Sequence, residues 1–93
     1  MIWPTNPMED YWGKESTATV LWAITDERDR QDNIWGQQDG DDKTWLPILA
    51  EEFGEVARAM LQQDGEASGN LREELVQVAA VCVAWVEAID RRE

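Results

Sequence analysis

Beyond the first dozen or so residues, apolar positions recur every three or four residues in three blocks, separated by polar stretches that contain glycine. That spacing is the period of an α-helix and not of a strand. The first block carries Val20, Leu21, Ile24, Arg28, Gln31 and Ile34 near one side, with Ser16 or Thr17 available as the cap, and is predicted to run to about Asn33. The stretch "QQDGDDK" breaks it. A second helix is predicted from Thr44 as N-cap, with Pro47 tolerated in the first turn, to about Gln63. After the loop "DGEASGN", Asn70 is expected to cap a third helix from Leu71 to about Arg91, where Arg91 and Arg92 suit the negative end of the helix dipole. Pro4, Pro7 and Gly13, together with Trp3, Tyr11 and Trp12, mark residues 1–15 as an extended arm lying across this subunit or a neighbour.

No strand pair, internal repeat or low-complexity tract interrupts this pattern, so the expected fold is all-α: an arm over 1–15 and a helical domain over 16–93. Val76 to Val86, "VQVAAVCVAWV", is apolar almost all round the helix. Three helices are too few to cover such an element, so a helical bundle completed by oligomerisation is expected, either a homodimer or a dimer of dimers. Cys82, the single cysteine, excludes an internal disulfide and reads as a small buried thiol in that run. The run falls far short of the ~20 residues a membrane helix needs. The N-terminus lacks the basic-then-apolar layout of a secretory signal, so the expected setting is cytoplasmic, with no membrane partner.

The second block is the unusual one. Trp45, Leu49, Phe53, Val56 and Met60 form an apolar stripe flanked by Ile48 and Ala59, and Glu52 falls inside that flank. Its helical neighbours are Ile48, Leu49 and Val56, where an unpaired carboxylate costs several kcal/mol, roughly the penalty of an isolated buried charge. Glu55 stands beside it and Glu51 points farther toward solvent. The third helix repeats the anomaly, with Glu74 between Leu71 and Val78, and Gln77 on the same side as Val81. If the two helices pack antiparallel, Glu52, Glu55, Glu74 and Gln77 converge, and a hard divalent cation such as Mg²⁺ or Mn²⁺ would relieve their repulsion. The competing reading is that E-x-x-E on a helix is a solvated face, since Glu is a strong helix former.

Charge narrows the partners. Eight Lys and Arg stand against twenty Asp and Glu, a formal net charge of −12, which is the opposite of the basic footprint that grips long DNA or RNA. A small polyanion such as a nucleotide can bind such a chain only where divalent metal neutralises both sides.

"EEFGE", Glu51 to Glu55, followed by "EELVQ", Glu73 to Gln77, resembles the E-E-x-x-E then E-x-x-D signature of the MazG-like, all-α nucleoside triphosphate pyrophosphohydrolases. The segment "RQDNIWGQQ", Arg30 to Gln38, is similar to the stretch that precedes the first Glu motif there, and together the likeness spans roughly residues 20 to 90. The resemblance implies hydrolysis between the α- and β-phosphates of an NTP or dNTP, releasing pyrophosphate and a monophosphate. It implies Glu52, Glu55 and Glu74 as metal ligands, with Gln77 in the fourth position, and Glu51 as the residue that orients or deprotonates the attacking water. Metal-bound water and a nearby carboxylate base fit that chemistry. Gln77 departs from the family's aspartate: it offers a neutral carbonyl oxygen, so a site built this way is expected to hold metal more weakly or to hold fewer ions. The alternative that follows is a weakly active or inactive member, kept as an oligomeric nucleotide-binding or regulatory module.

For the substrate end, Trp35 can stack on a base or can plug the loop beneath it, and Gln37 or Gln38 can present an amide to a base edge. Arg30, Lys43 and Arg72 are the candidate phosphate contacts.

Overall fold

The computed structural model describes residues 15–62 and 67–92, the side chains of the second stretch from residue 71 onward. They form three helices, α1 (Glu15–Trp35), α2 (Asp42–Leu61) and α3 (Ala67–Arg91), and no strand is present among the described residues. The described part of the chain is all-α, as the periodicity predicts. The arm expected over 1–15 lies outside the described residues except for Glu15, which is already helical.

The helix ends differ from expectation in ways that local chemistry explains. Ser16 and Thr17 lie inside α1, and the helix continues to Trp35 because Gly36, at φ 72°, supplies the left-handed stop. The Gly36 amide donates to Asp32 O at 2.8 Å and so satisfies a terminal carbonyl. The cap of α2 is Asp41 and not Thr44: the Asp41 side chain accepts from the Thr44 amide at 3.1 Å and from Thr44 Oγ1 at 3.0 Å. Thr44 is therefore the residue that is capped, and an anionic cap also suits the positive helix end. α2 stops at Leu61, with the Gln62 amide bonded to Arg58 O. α3 begins at Ala67, which places Asn70 within the helix instead of at its cap.

α3 is the central element, with α1 and α2 packed on it and not on each other. Pairs between Asp42 and Trp85 and between Glu52 and Gln77 show that α2 runs antiparallel to α3. The core is small: Trp45 (4% exposed) packs with Val81, Ala84 and Ala88, and Leu49 and Trp85 close over them. Alanines let the α2 and α3 backbones approach closely but bury little apolar area. The indole of Trp45 also donates to Gly40 O at 3.1 Å, tying the core to the α1–α2 loop. α1 contributes no fully buried residue; Leu21 and Ile24 are half-buried, whereas Val20 and Ile34, expected on the same side, are exposed.

The apolar stripe of α2 is turned relative to expectation. Trp45, Leu49, Glu52, Val56 and Ala59, at alternating steps of four and three, form the face on α3, while Phe53 is 67% exposed and Met60 51% exposed. Glu52 consequently sits in the middle of the packed face and not on its flank. Cys82, expected to be buried, is exposed, because α3 directs Ala80, Val81, Ala84 and Ala88 inward and leaves the Cys82 side uncovered. Among the described residues no helix is long and apolar enough to cross a membrane.

Candidate functional site

Because α1 and α2 stand apart on the same support, a cleft of about 310 Å³ opens between them with α3 as its floor. That volume is at the low end for small-molecule sites, which start at roughly 300 Å³. Arg30, Gln31 and Trp35 form the α1 wall, and Ile48, Glu51 and Glu52 form the α2 wall. Gln77, Val81 and Ala84 lie on the floor, and Gln38 and Arg91 close one end.

The walls are held by ion pairs. Arg28, whose side chain is 14% exposed, donates through Nε (3.1 Å) and Nη2 (2.7 Å) to Glu87 Oε1, and so fastens α1 to α3. The same guanidinium reaches Gln31 Oε1 and Asp32 Oδ1, each at 3.0 Å. Burial works against its charge, but the hydrogen bonds to Glu87 and Asp32 outweigh that and hold its pKa above the ordinary arginine value. Arg30 makes a two-pronged contact with Glu27, at 2.9 and 2.7 Å.

The loop between α1 and α2 is pinned from the end of α3. Arg91 donates to Asp39 Oδ1 at 2.6 Å and to Gln38 O at 3.3 Å, Arg92 donates to Asp42 Oδ1 at 2.7 Å, and the Trp85 indole donates to the same oxygen at 2.8 Å. Hydrogen bonds from Gln37 and then Arg91 lower the Asp39 pKa, and those from Arg92 and Trp85 lower that of Asp42.

Glu52 carries the opposite shift. Burial, followed by the charges of Glu74, Glu51, Glu55 and Glu27, raises its pKa above the usual carboxylate value. Gln77 lies between Glu52 and Glu74, and the amide orientation that suits those acceptors puts its NH₂ group 3.1 Å from Glu74 Oε2 and 3.2 Å from Glu52 Oε2. In that orientation Gln77 acts as a donor bridging two carboxylates across the α2–α3 seam. Glu55 is turned to Arg58, with an Nη1–Oε1 distance of 3.0 Å. Among the described residues no three carboxylate or thiol groups are gathered closely enough to share one ion.

The structure therefore brings together Glu52, Glu74 and Gln77, and it places Trp35, Gln38, Arg30 and Glu51 on the cleft that Glu52 and Gln77 also line. Glu55 contributes to the field on Glu52 without lining the cleft, and Lys43 is exposed in the first turn of α2, outside the lining. The Gln38 amide NH₂ is turned back onto Trp35 O at 3.0 Å. Sequence reasoning did not single out Glu27, the Arg28–Glu87 tie or the role of Arg91. The i,i+3 spacing of Glu27 and Arg30 and the i,i+4 spacing of Arg28 and Asp32 were visible signals of helix-surface pairs, whereas the tie to Glu87 spans most of the chain and left no local pattern.

Compared with known protein families, with curated proteins and with solved structures, the chain matches none.

Proposed function

We propose that the chain is a Mg²⁺- or Mn²⁺-dependent nucleoside triphosphate pyrophosphohydrolase, working in the cleft between α1 and α2. The observation that carries this reading is the meeting, in one cleft, of the aromatic and amide residues of "RQDNIWGQQ" with the carboxylates of "EEFGE" and the Gln77 of "EELVQ". Trp35, on the wall and 60% exposed, offers a face on which a nucleobase can stack. Gln38 can read a base edge if it releases Trp35 O. Arg30 stands near enough to Glu52 to feel its charge and would meet a phosphate if that phosphate displaced Glu27.

The donor set is all oxygen and strongly negative around Glu52, which suits a hard divalent cation. Glu52 and Glu74 would hold it, joined by Glu55 once that side chain leaves Arg58 and by the carbonyl oxygen of Gln77 once its amide turns over, and it would supply charge neutralisation and phosphate polarisation. Glu51, exposed on the cleft, would orient the attacking water and accept its proton. The reading includes a cytoplasmic setting and self-association.

One observation favours a second reading, a nucleotide-binding module with little or no turnover: the Gln77 NH₂ group stands between Glu52 and Glu74, where a metal-binding arrangement calls for an acceptor. A pyrophosphate-release screen over canonical and modified NTPs and dNTPs with Mg²⁺ and Mn²⁺ separates the two. Release that is lost in Glu51→Gln supports the enzyme. Nucleotide binding by calorimetry without release supports the module, and neither binding nor release rejects both.

A further inference from the structure

The three arginines that line the cleft are not held alike. Arg28 uses Nε, Nη1 and Nη2 on Glu87, Gln31 and Asp32, and Arg30 gives Nε and Nη2 to the one carboxylate of Glu27. Arg91 is anchored on the α1–α2 loop. Its Nε donates to Asp39 Oδ1 at 2.6 Å, its Nη2 makes only a long contact of 3.3 Å with Gln38 O, and its Nη1 makes no hydrogen bond among the described residues. The guanidinium therefore lines the cleft with unused N–H groups, whereas the neighbouring Gln38 NH₂ is engaged with Trp35 O at 3.0 Å. The polarity of the cleft runs along α3. Glu52 meets Gln77, Asp42 meets Trp85 and Asp39 meets Arg91, so the carboxylate end and the guanidinium end are separated by the helix from Gln77 to Arg91, ~21 Å at the usual rise per residue. Helical side chains lean toward the N-terminus, so Arg91 reaches back over the apolar floor of Val81 and Ala84 toward the carboxylates.

We infer that Arg91 is the specificity-determining residue of the cleft: it selects nucleotides whose base carries a carbonyl oxygen on the edge far from the sugar, as hypoxanthine, guanine and uracil do, over adenine and cytosine, which carry an amino group there. The inference rests on the reading of the cleft as a nucleotide site, which puts the metal and the phosphates at the carboxylate end. Orientation follows from that. With the phosphates near Glu52 and Gln77 and the base against Trp35, the part of the nucleotide that arrives at Arg91 is the far edge of the base. A guanidinium has only donors and keeps its charge, so it pairs with a carbonyl oxygen but sets N–H against N–H when it meets an amino group. That mismatch is costly where water is displaced, because a polar group on each side is left without a partner. Asp39 makes the selection firm. Held by its ion pair to Asp39, Arg91 turns away from an amino group only by giving up that contact and loosening the loop that carries Gln38.

The test uses the full chain and pairs of nucleotides in which a carbonyl replaces the amino group: ITP against ATP and UTP against CTP, each with Mg²⁺, read as pyrophosphate release and as binding by calorimetry. The carbonyl member of each pair should be favoured at least ~tenfold in kcat/KM, or in Kd where there is no turnover. Arg91→Leu should bring that ratio to within about twofold of one, chiefly by weakening the carbonyl member. Arg91→Lys, which keeps a charged donor, should keep the direction of the preference at a smaller ratio. Arg92→Ala unties Asp42 without touching the cleft lining, so it should lower the melting temperature and leave the ratio unchanged. Equal use of both members, or a preference for the amino one, overturns the inference while the nucleotide reading stands. A carbonyl preference that survives Arg91→Leu also overturns it, since another group then reads the base. So does an equal loss for every nucleotide in Arg91→Leu, which would place Arg91 on the phosphates. Neither binding nor release with any of them overturns the nucleotide reading itself, and this inference with it. If Arg91→Leu does not fold, the ratios in the unmodified chain and in Arg91→Lys decide.

Discussion

On the cleft side of the α2–α3 pair, charge is dense and mostly matched: Arg28 to Glu87, Arg30 to Glu27, Arg91 to Asp39 and Gln77 to both Glu52 and Glu74. On the opposite side the same two helices expose Leu46, Phe53 and Met60 of α2 and Leu75, Val86 and Ile89 of α3, and nothing among the described residues buries them. Both sides are helix surface, but they differ in what remains undone. The cleft side has its partners at hand and an excess of negative charge, whereas the apolar side is left without a partner among the described residues.

The sharpest way to break this contrast is to remove the core that both sides share. Trp45→Ala should cost ~3–5 kcal/mol, because it empties the largest core position and leaves Gly40 O without the indole donor. Chemical denaturation measures the loss, and cleft and face should fail together. A loss under ~1 kcal/mol would mean that the α2–α3 seam is held elsewhere.

Arg28→Ala tests the cleft side alone. Removing a largely buried guanidinium that joins Glu87 and Asp32 should destabilise by ~2 kcal/mol, in the range of charge-assisted hydrogen bonds, and should open the cleft. Glu52→Leu should act in the reverse direction. In chelator it should stabilise by ~1 kcal/mol, because a carboxylate crowded by four others is exchanged for an apolar group on the packed face. The same change should end metal binding and any pyrophosphate release, and Glu51→Gln should end release without changing stability. Destabilisation by Glu52→Leu in chelator would make Glu52 a structural residue.

Acid gives a gentler probe of the same carboxylate. The folded-state pKa of Glu52 is raised, so the native state binds the proton first, and stability should increase as pH falls from neutral through that raised value toward the ordinary glutamate range near 4.5. Asp39 and Asp42 have lowered values, so their contribution is present above the ordinary value near 3.8 and is lost as pH falls through the lowered ones. A shallow stability maximum in mild acid, removed by Glu52→Gln, is the expected melting profile. The smallest effect belongs to the exposed Arg58–Glu55 pair: Arg58→Ala should change stability by less than ~0.5 kcal/mol.

The helices were legible because their period repeats over many residues, and the anomaly of Glu52 was legible because it violates that period. The rotation of α2 was not. Trp45, Leu49 and Val56 belong to the predicted stripe and to the observed one alike, and only the contacts with α3 decide that Ala59 goes in while Phe53 and Met60 stay out. Cys82 misled for the same reason: in a run apolar all round, composition does not say which arc faces a neighbour within the chain. At the cleft, residue type pointed to Trp35, Glu51 and Glu52, but the amide of Gln77 reads equally well as acceptor or donor until its neighbours are placed.

Among the described residues α1 contributes no residue to the buried core and packs on α3 but not on α2. It can therefore swing off while Trp45, Val81, Ala84 and Ala88 stay packed, so its amides should exchange with deuterium through a partial opening, faster than those at the α2–α3 seam. Any compound that bridges Trp35 or Arg30 on α1 to Glu51 or Glu52 on α2 would have to hold that opening shut. Slowed exchange confined to α1 would then report occupancy of the cleft without any knowledge of the reaction, and would rank ligands by how firmly they latch the helix down.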